Sequence, residues 1–101
     1  MTRSLIRYKT KPEMADENER LIKDVFKELH AKSPKGVRYM AVRLGDGTFV
    51  HLVAADTKDA GSVIPALEAF RSFQKGIRER CIEPPQRGDA TIVGNYRMLD
   101  E

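Results

Sequence analysis

The sequence has no tryptophan, a single cysteine (Cys81) and only two histidines, His30 and His51. A lone cysteine makes no internal disulfide, which excludes a disulfide-stapled scaffold and points to a reducing compartment, with the cytoplasm as the expected location. The two histidines and the cysteine stand far apart without ligand spacing, so no metal site is expected. Long apolar runs are missing: nothing approaches the ~20 residues of a membrane span. Leu5-Ile6 is cut short by Arg7 and Lys9, so no secretion leader is expected either. Blocks of like charge are also absent, because 15 acidic residues are interleaved with 18 basic ones for a net charge of +3. Charge alone therefore gives little support to a nucleic-acid partner. Gly45-Asp46-Gly47 lacks the strand-to-helix setting of a phosphate-binding loop.

What remains is a chain of 101 residues, 41% hydrophobic, which is too apolar for disorder and long enough for one domain spanning 1–101. Ser4 to Thr10 alternates Ile6 and Tyr8 against Arg7 and Lys9, a strand pattern that Lys11-Pro12-Glu13 ends. Asp16 and Glu19 then have capping-box spacing before Leu21, Ile22, Val25, Phe26 and Leu29, one apolar helical stripe. Ser33-Pro34-Lys35-Gly36 closes that helix. Val37 to Leu44 and Thr48 to Ala55 form a hairpin about Gly45-Asp46-Gly47. A second helix is predicted from Pro65 to Cys81, with Leu67, Phe70, Phe73 and Ile77 buried and Arg71, Lys75, Arg78, Glu79 and Arg80 mostly outside. Glu83-Pro84-Pro85 ends it, and a last strand is expected from about Ala90 to Leu99.

The order β-α-β-β-α-β predicts an α+β, ferredoxin-like fold with two helices on one face of a four-stranded antiparallel sheet. Both hairpin strands are apolar on both faces, and two helices cover only one. Leaving the other face wet would forgo several kcal/mol at about 25 cal/mol per Å². The pattern therefore predicts a homodimer packed sheet to sheet.

Leu5-Ile6-Arg7-Tyr8-Lys9-Thr10-Lys11-Pro12, Gly36-Val37-Arg38-Tyr39 and Phe49-Val50-His51-Leu52-Val53-Ala54-Ala55-Asp56 resemble the dimeric α+β barrel domains, in particular the antibiotic-biosynthesis-monooxygenase-like (ABM-like) group. That resemblance implies a homodimer whose sheets close a barrel. It also implies a cofactor-independent monooxygenase acting on an aromatic or polyketide-like small molecule. The alternative it carries is a non-catalytic dimer that binds a small molecule or partner, of the stress-response type. Haem degradation is disfavoured, because no histidine lies between Pro65 and Cys81 and the strand Asn of those enzymes is unmatched around Ile6 to Tyr8. Ala55-Asp56 stands where many members have Trp-Asp.

His51, in mid-strand within an apolar run, is the candidate catalytic residue: a base or a group that orients a substrate oxygen. The competing reading is a histidine satisfied by hydrogen bonds within the sheet layer. Tyr8, Tyr39 and Tyr96 fall on three expected strands and are candidates to line a pocket, with Arg43 or Arg97 countering an enolate or carboxylate and Asn95 adding a polar group. Aromatic packing across strands explains the same tyrosines without a ligand. Cys81 reads as helix packing. RNA recognition, which shares this element order, needs exposed stacking rings on the central strands, and Phe49-Val50-His51-Leu52 offers one. No cofactor, no nucleic acid and no membrane partner are expected.

Overall fold

The computed structural model describes residues 2–98. Strands β1 (Thr2–Thr10), β2 (Val37–Arg43), β3 (Thr48–Ala55) and β4 (Cys81–Asp89) form one antiparallel sheet in the order β2-β3-β1-β4, the ferredoxin-like arrangement. The long helix α1 (Ala15–Lys32) follows a 3-10 turn at Pro12–Met14. Between β3 and β4 lie α2 (Lys58–Gly61), a 3-10 turn at Ile64–Ala66, α3 (Glu68–Gln74) and α4 (Ile77–Arg80). The core joins Tyr8 and Phe49 of the sheet to Ile22 and Val25 of α1 and to Leu67, Phe73 and Ile77. Tyr8 stacks on Phe49 with ring centroids 5.5 Å apart.

Three sequence expectations need correction. Asp16 does not cap α1; the helix starts one residue earlier, with Met14 at the cap and no side-chain bond there. Asp16 and Glu19 instead both accept from Arg43 of β2, at 2.9 and 2.7 Å. Their spacing serves a strand-to-helix tie, which the capping pattern mimics.

The helix expected over 65–81 is broken. Lys75 is extended and Gly76 takes φ +78, a left-handed conformation that glycine adopts without a Cβ penalty, so α3 stops and α4 starts in a new direction. α1 supports this broken segment from outside its own sequence. Glu28 accepts from the backbone amides of Glu68 and Ala69 at the start of α3, and Lys32 and those amides together hold its carboxyl below the usual range.

The last strand is Cys81–Asp89, ahead of the expected 90–99. Glu83-Pro84-Pro85 reads as a breaker, yet β4 pairs only with β1 and is an edge strand, where the missing proline donors can face away from the ladder. The register slips where the prolines sit: Arg7 pairs with Gln86 and Lys9 with Glu83, leaving an extra residue on β4. Residues 90–98 carry no strand, and Leu99 lies outside the described residues.

The hairpin strands β2 and β3 are apolar on both faces, as their pattern required, while the outward face of β1 sets Leu5 among Arg3, Arg7 and Lys9. The face away from the helices carries Leu5, Met40, Val50 and Leu52, with Leu5 and Val42 exposed. Ile92, Asn95 and Met98 of the final segment lie along it and, with Met40, Leu52 and Arg38, line a broad groove of about 700 Å³.

Gly76→Ala should destabilise the protein by about 1–2 kcal/mol, because an alanine there must hold a left-handed φ. Urea denaturation of the two proteins checks this, and the added methyl itself meets only ordinary contacts at 3.8 Å or beyond.

Candidate functional site

Strand register brings the site together. His51 on β3 pairs with Ile6 of β1 and Ala41 of β2, while Tyr8 pairs with Phe49 and Tyr39 with Val53. Tyr8 and Tyr39 are therefore diagonal neighbours of His51 on the helix-facing side, within reach of a long side chain. The Tyr8 hydroxyl lies 2.9 Å from Nε2 of His51, and the Tyr39 hydroxyl 2.6 Å from Nδ1. Both ring nitrogens are thus bonded, and the imidazole is only 3% exposed. It lies among the rings of Tyr8, Tyr39 and Phe73 at centroid distances of 5.4 to 5.7 Å.

The bonds continue into α1 and α4. Asn18 donates from Nδ2 to the Tyr8 hydroxyl at 2.8 Å and accepts at Oδ1 from Nε of Arg80 at 3.0 Å. Arg80 is 5% exposed, and among the described residues it has no carboxylate partner. Its two terminal nitrogens each donate to a carbonyl, of Phe73 (2.6 Å) and of Lys75 (3.2 Å), at the C-terminal end of α3, and its guanidinium lies over the Phe73 ring at 5.3 Å. Helix-end carbonyls carry partial negative charge, so they suit a cation that has left water.

Burial sets the ionisation of the centre. It pulls His51 down to about 4, so the imidazole is neutral near pH 7. It also lifts both tyrosine hydroxyls well above their ordinary range, the lift at Tyr8 being partly offset by the Asn18 bond. Cys81, half-buried at the start of β4, is raised by burial, so its thiol is no activated nucleophile.

Beside His51 opens a cavity of about 280 Å³, close to the ~300 Å³ lower end for small-molecule sites. Tyr8, Tyr39 and His51 line it from the sheet, Phe70 and Phe73 from α3. The exposed arginines Arg78 and Arg87 line it too. Arg87 donates to Ser4 Oγ at 3.1 Å, and neither arginine has an acidic partner among the described residues.

Of the residues singled out in the sequence, His51, Tyr8 and Tyr39 meet here. Arg43 does not: it is held by Asp16 and Glu19 and lies 5.8 Å from the centroid of Phe49. Tyr96 and Arg97 fall in the final segment because the last strand ends earlier than expected. Tyr96 is 83% exposed, with the Arg97 guanidinium 5.3 Å from its ring centroid. Asn95 lines the groove on the opposite face and accepts from the Met98 amide. The arginines that do line the cavity are Arg78 and Arg87.

No family model and no curated protein matches the chain. Solved structures do. A provisionally named antibiotic biosynthesis monooxygenase from Bacteroides thetaiotaomicron superposes with TM-score 0.78 at 20% identity, covering 96% of this chain and 94% of that one. A second protein so named, from Caulobacter crescentus, gives TM-score 0.75 at 19% identity over 92% and 90%. The chain has the ABM-like fold. SnoaB, a cofactor-independent oxygenase from Streptomyces nogalater, shares that fold with TM-score 0.67 at 17% identity, covering 96% of this chain and 97% of that one. A Nitrosomonas europaea protein of unknown function superposes as well, with TM-score 0.72 at 12% identity over 94% and 91%. Within this ABM-like fold, no helix among the described residues is long and apolar enough to cross a membrane.

Two members of the site, Asn18 and Arg80, escaped the sequence reading. Each stands on an apolar stripe: Asn18 at i−4 and i−7 from Ile22 and Val25, Arg80 at i+7 and i+3 from Phe73 and Ile77. Arg80 was expected mostly outside its helix and is instead buried, because the break at Gly76 turns α4 and carries it inward; Asn18, fully buried, had no sequence signal beyond its place on the stripe.

Because the folded His51 resists protonation, the unfolded chain binds its proton first as the pH falls below 6.5. Stability should drop from pH 6.5 towards 4, by up to about 3 kcal/mol at the low end. Denaturant titrations at pH 6.5, 5.5 and 5 should show this slope in the parent protein, while His51→Phe, though less stable throughout, should be flatter. Equal slopes would contradict a buried neutral imidazole.

Proposed function

We propose that the protein is a cofactor-independent monooxygenase of an electron-rich aromatic or polyketide-like small molecule, bound in the cavity between sheet and helices. One observation carries the reading: an aromatic-walled cavity has a polar corner at the Tyr39–His51 pair and, along its lining, two arginines without acidic partners among the described residues. Flat rings fit the walls. A phenolate or enolate oxygen fits the polar corner, and Arg78 and Arg87 favour its negative charge. Oxidation of a ring CH2 to a carbonyl by dioxygen balances without any outside reductant. One oxygen atom becomes the carbonyl, and the other leaves as water with the two hydrogens of the substrate. Stabilising the substrate anion and excluding bulk water are then the tasks left to the chain. His51 is the proposed catalytic group acting with Tyr39, and Tyr8 supports it.

A second reading has its own support. Both nitrogens of His51 are already bonded inside the protein, as in a satisfied core histidine, which favours a non-catalytic dimer that holds a small molecule or partner. Turnover separates the two. Oxygen-electrode assays over hydroquinones and anthrone-like phenols should record uptake equimolar with product, reduced ~100-fold or more in Tyr39→Phe. No uptake across the panel by folded parent protein, with binding retained, would decide for the second reading.

The homodimer belongs to both. Its support is the outward face of the β2–β3 hairpin, where Met40, Val42, Val50 and Leu52 are apolar and Leu5 of β1 extends the patch between Arg3 and Arg7. Sedimentation should give about twice the 11.5 kDa chain mass, and Leu52→Glu should return single chains that keep their far-ultraviolet circular dichroism. A parent protein that sediments as one folded chain at micromolar concentration would end the dimer reading.

A further inference from the structure

The direction of each hydrogen bond in the buried chain follows from the group at its end. A guanidinium donates and never accepts, so the Asn18 atom facing Arg80 Nε is the carbonyl oxygen Oδ1. Asn18 Nδ2 must then face Tyr8, and it donates to the hydroxyl oxygen. That hydroxyl has one proton of its own, and its other neighbour is His51 Nε2. The Tyr8 proton therefore goes to Nε2, which holds a lone pair. A neutral imidazole with a bare Nε2 has its proton on Nδ1, and Nδ1–H donates to the Tyr39 oxygen. The Tyr39 hydroxyl proton is left over, with no acceptor among the described residues.

We propose that Arg80, as a positioning residue, polarises this chain so that it ends in a Tyr39 O–H offered to an acceptor oxygen of the cavity's ligand: a carbonyl, or the oxyanion of an enolate or phenolate. The inference rests on the reading of the cavity as a ligand site. The opposite polarity fails at two buried points. With the Asn18 amide turned, its NH2 would meet the guanidinium, donor against donor. With Asn18 as it stands but the ring proton on Nε2, the Tyr8 oxygen would receive two protons, and its own would have no acceptor in a hydroxyl environment almost closed to water. Burial, which keeps Tyr39 protonated well above the ordinary tyrosine range, leaves it a donor at working pH. A ligand carrying a donor at this corner would face another donor; one carrying a carbonyl or oxyanion completes the chain.

The polarity can be reversed by one substitution. Asn18→Asp places two acceptor oxygens between Arg80 and Tyr8, so the Tyr8 proton turns towards α1, the ring proton moves to Nε2, and Tyr39 donates to Nδ1. Its oxygen lone pair then faces the cavity. Ring nitrogen-15 spectra of histidine-labelled protein read the tautomer directly, with His30→Gln assigning the signals. The parent protein should show His51 protonated on Nδ1, and Asn18→Asp should show it on Nε2. Titrations with 1-tetralone, which carries one carbonyl acceptor and no donor, and with tetralin, which lacks it, read the ligand end. Parent protein should prefer tetralone by roughly 10-fold, the scale of one hydrogen bond, and Asn18→Asp and Tyr39→Phe should lose that preference. An Nε2-protonated ring in the parent protein, a tautomer unmoved by Asn18→Asp, or equal affinities for the two probes would overturn the inference. Binding of neither probe would remove the aromatic cavity reading, and the ring proton would still decide the polarity by itself.

Discussion

A guanidinium withdrawn from water, with no carboxylate paired to it among the described residues, is the constraint on which this structure turns. Leaving such a charge unpaired in a core costs several kcal/mol, so each nitrogen of Arg80 must find an oxygen. Asn18 and the carbonyls of Phe73 and Lys75 supply those oxygens, and the Phe73 ring face adds a further attraction. These acceptors belong to α1 and to the end of α3, while Arg80 belongs to α4. Satisfying one cation thereby fixes three helices against each other. It also explains the break at Gly76: α3 must end where its carbonyls are free, and α4 must turn back to bring Arg80 over them.

The same demand passes into the sheet. Asn18, once committed to Arg80, has its amide donors left for Tyr8, and Tyr8 has its proton left for His51. Each polar group in the layer is satisfied by the next, which is how a polar chain survives in a core otherwise built of Phe49, Phe73, Val25 and Leu67. The charge stays at one end. The imidazole is held neutral by burial, and the tyrosines are held protonated by the same cause. The cavity opens beside the far end of the chain, so the polar corner it presents at Tyr39 and His51 is one that the helices, through Arg80 and Asn18, orient from behind.

Legibility from the sequence followed local periodicity. α1 and the β2–β3 hairpin could be read because apolar spacing, a Ser-Pro-Lys-Gly stop and a Gly-Asp-Gly turn all agreed. Their element order sufficed for the ferredoxin-like sheet; that Tyr8, Tyr39 and His51 share one face of it came only with the strand register. The second half misled for a different reason. Gly76 acts through a left-handed φ that an isolated glycine in a helical pattern does not announce. Pro84 and Pro85 act as breakers in a central strand and are tolerated on an edge, and which strand is the edge is a property of the whole sheet. Moving the last strand forward by nine residues carried Asn95, Tyr96 and Arg97 out of the site and brought Arg87 into its lining. Asn18 and Arg80 were hidden by their polarity. A polar residue on an apolar stripe is ordinarily taken as exposed, and only the partner from 62 positions away shows why it is not.

The strands that hold the site are also the strands with an uncovered face. β1 and β3 alternate, so Tyr8 and His51 point to the helices while Leu5 and Leu52 point away, and Leu5 pairs directly with Leu52. Any partner that covers the outer face, a second copy in the proposed dimer, would press on the backbone that sets the Tyr8–His51–Tyr39 distances. Those distances are between 2.6 and 2.9 Å, where a few tenths of an ångström separate a strong bond from a weak one. The outer face and the polar chain thus share one pair of strands, with Leu5 and Leu52 on one side and, on the other, a chain whose direction Arg80 fixes.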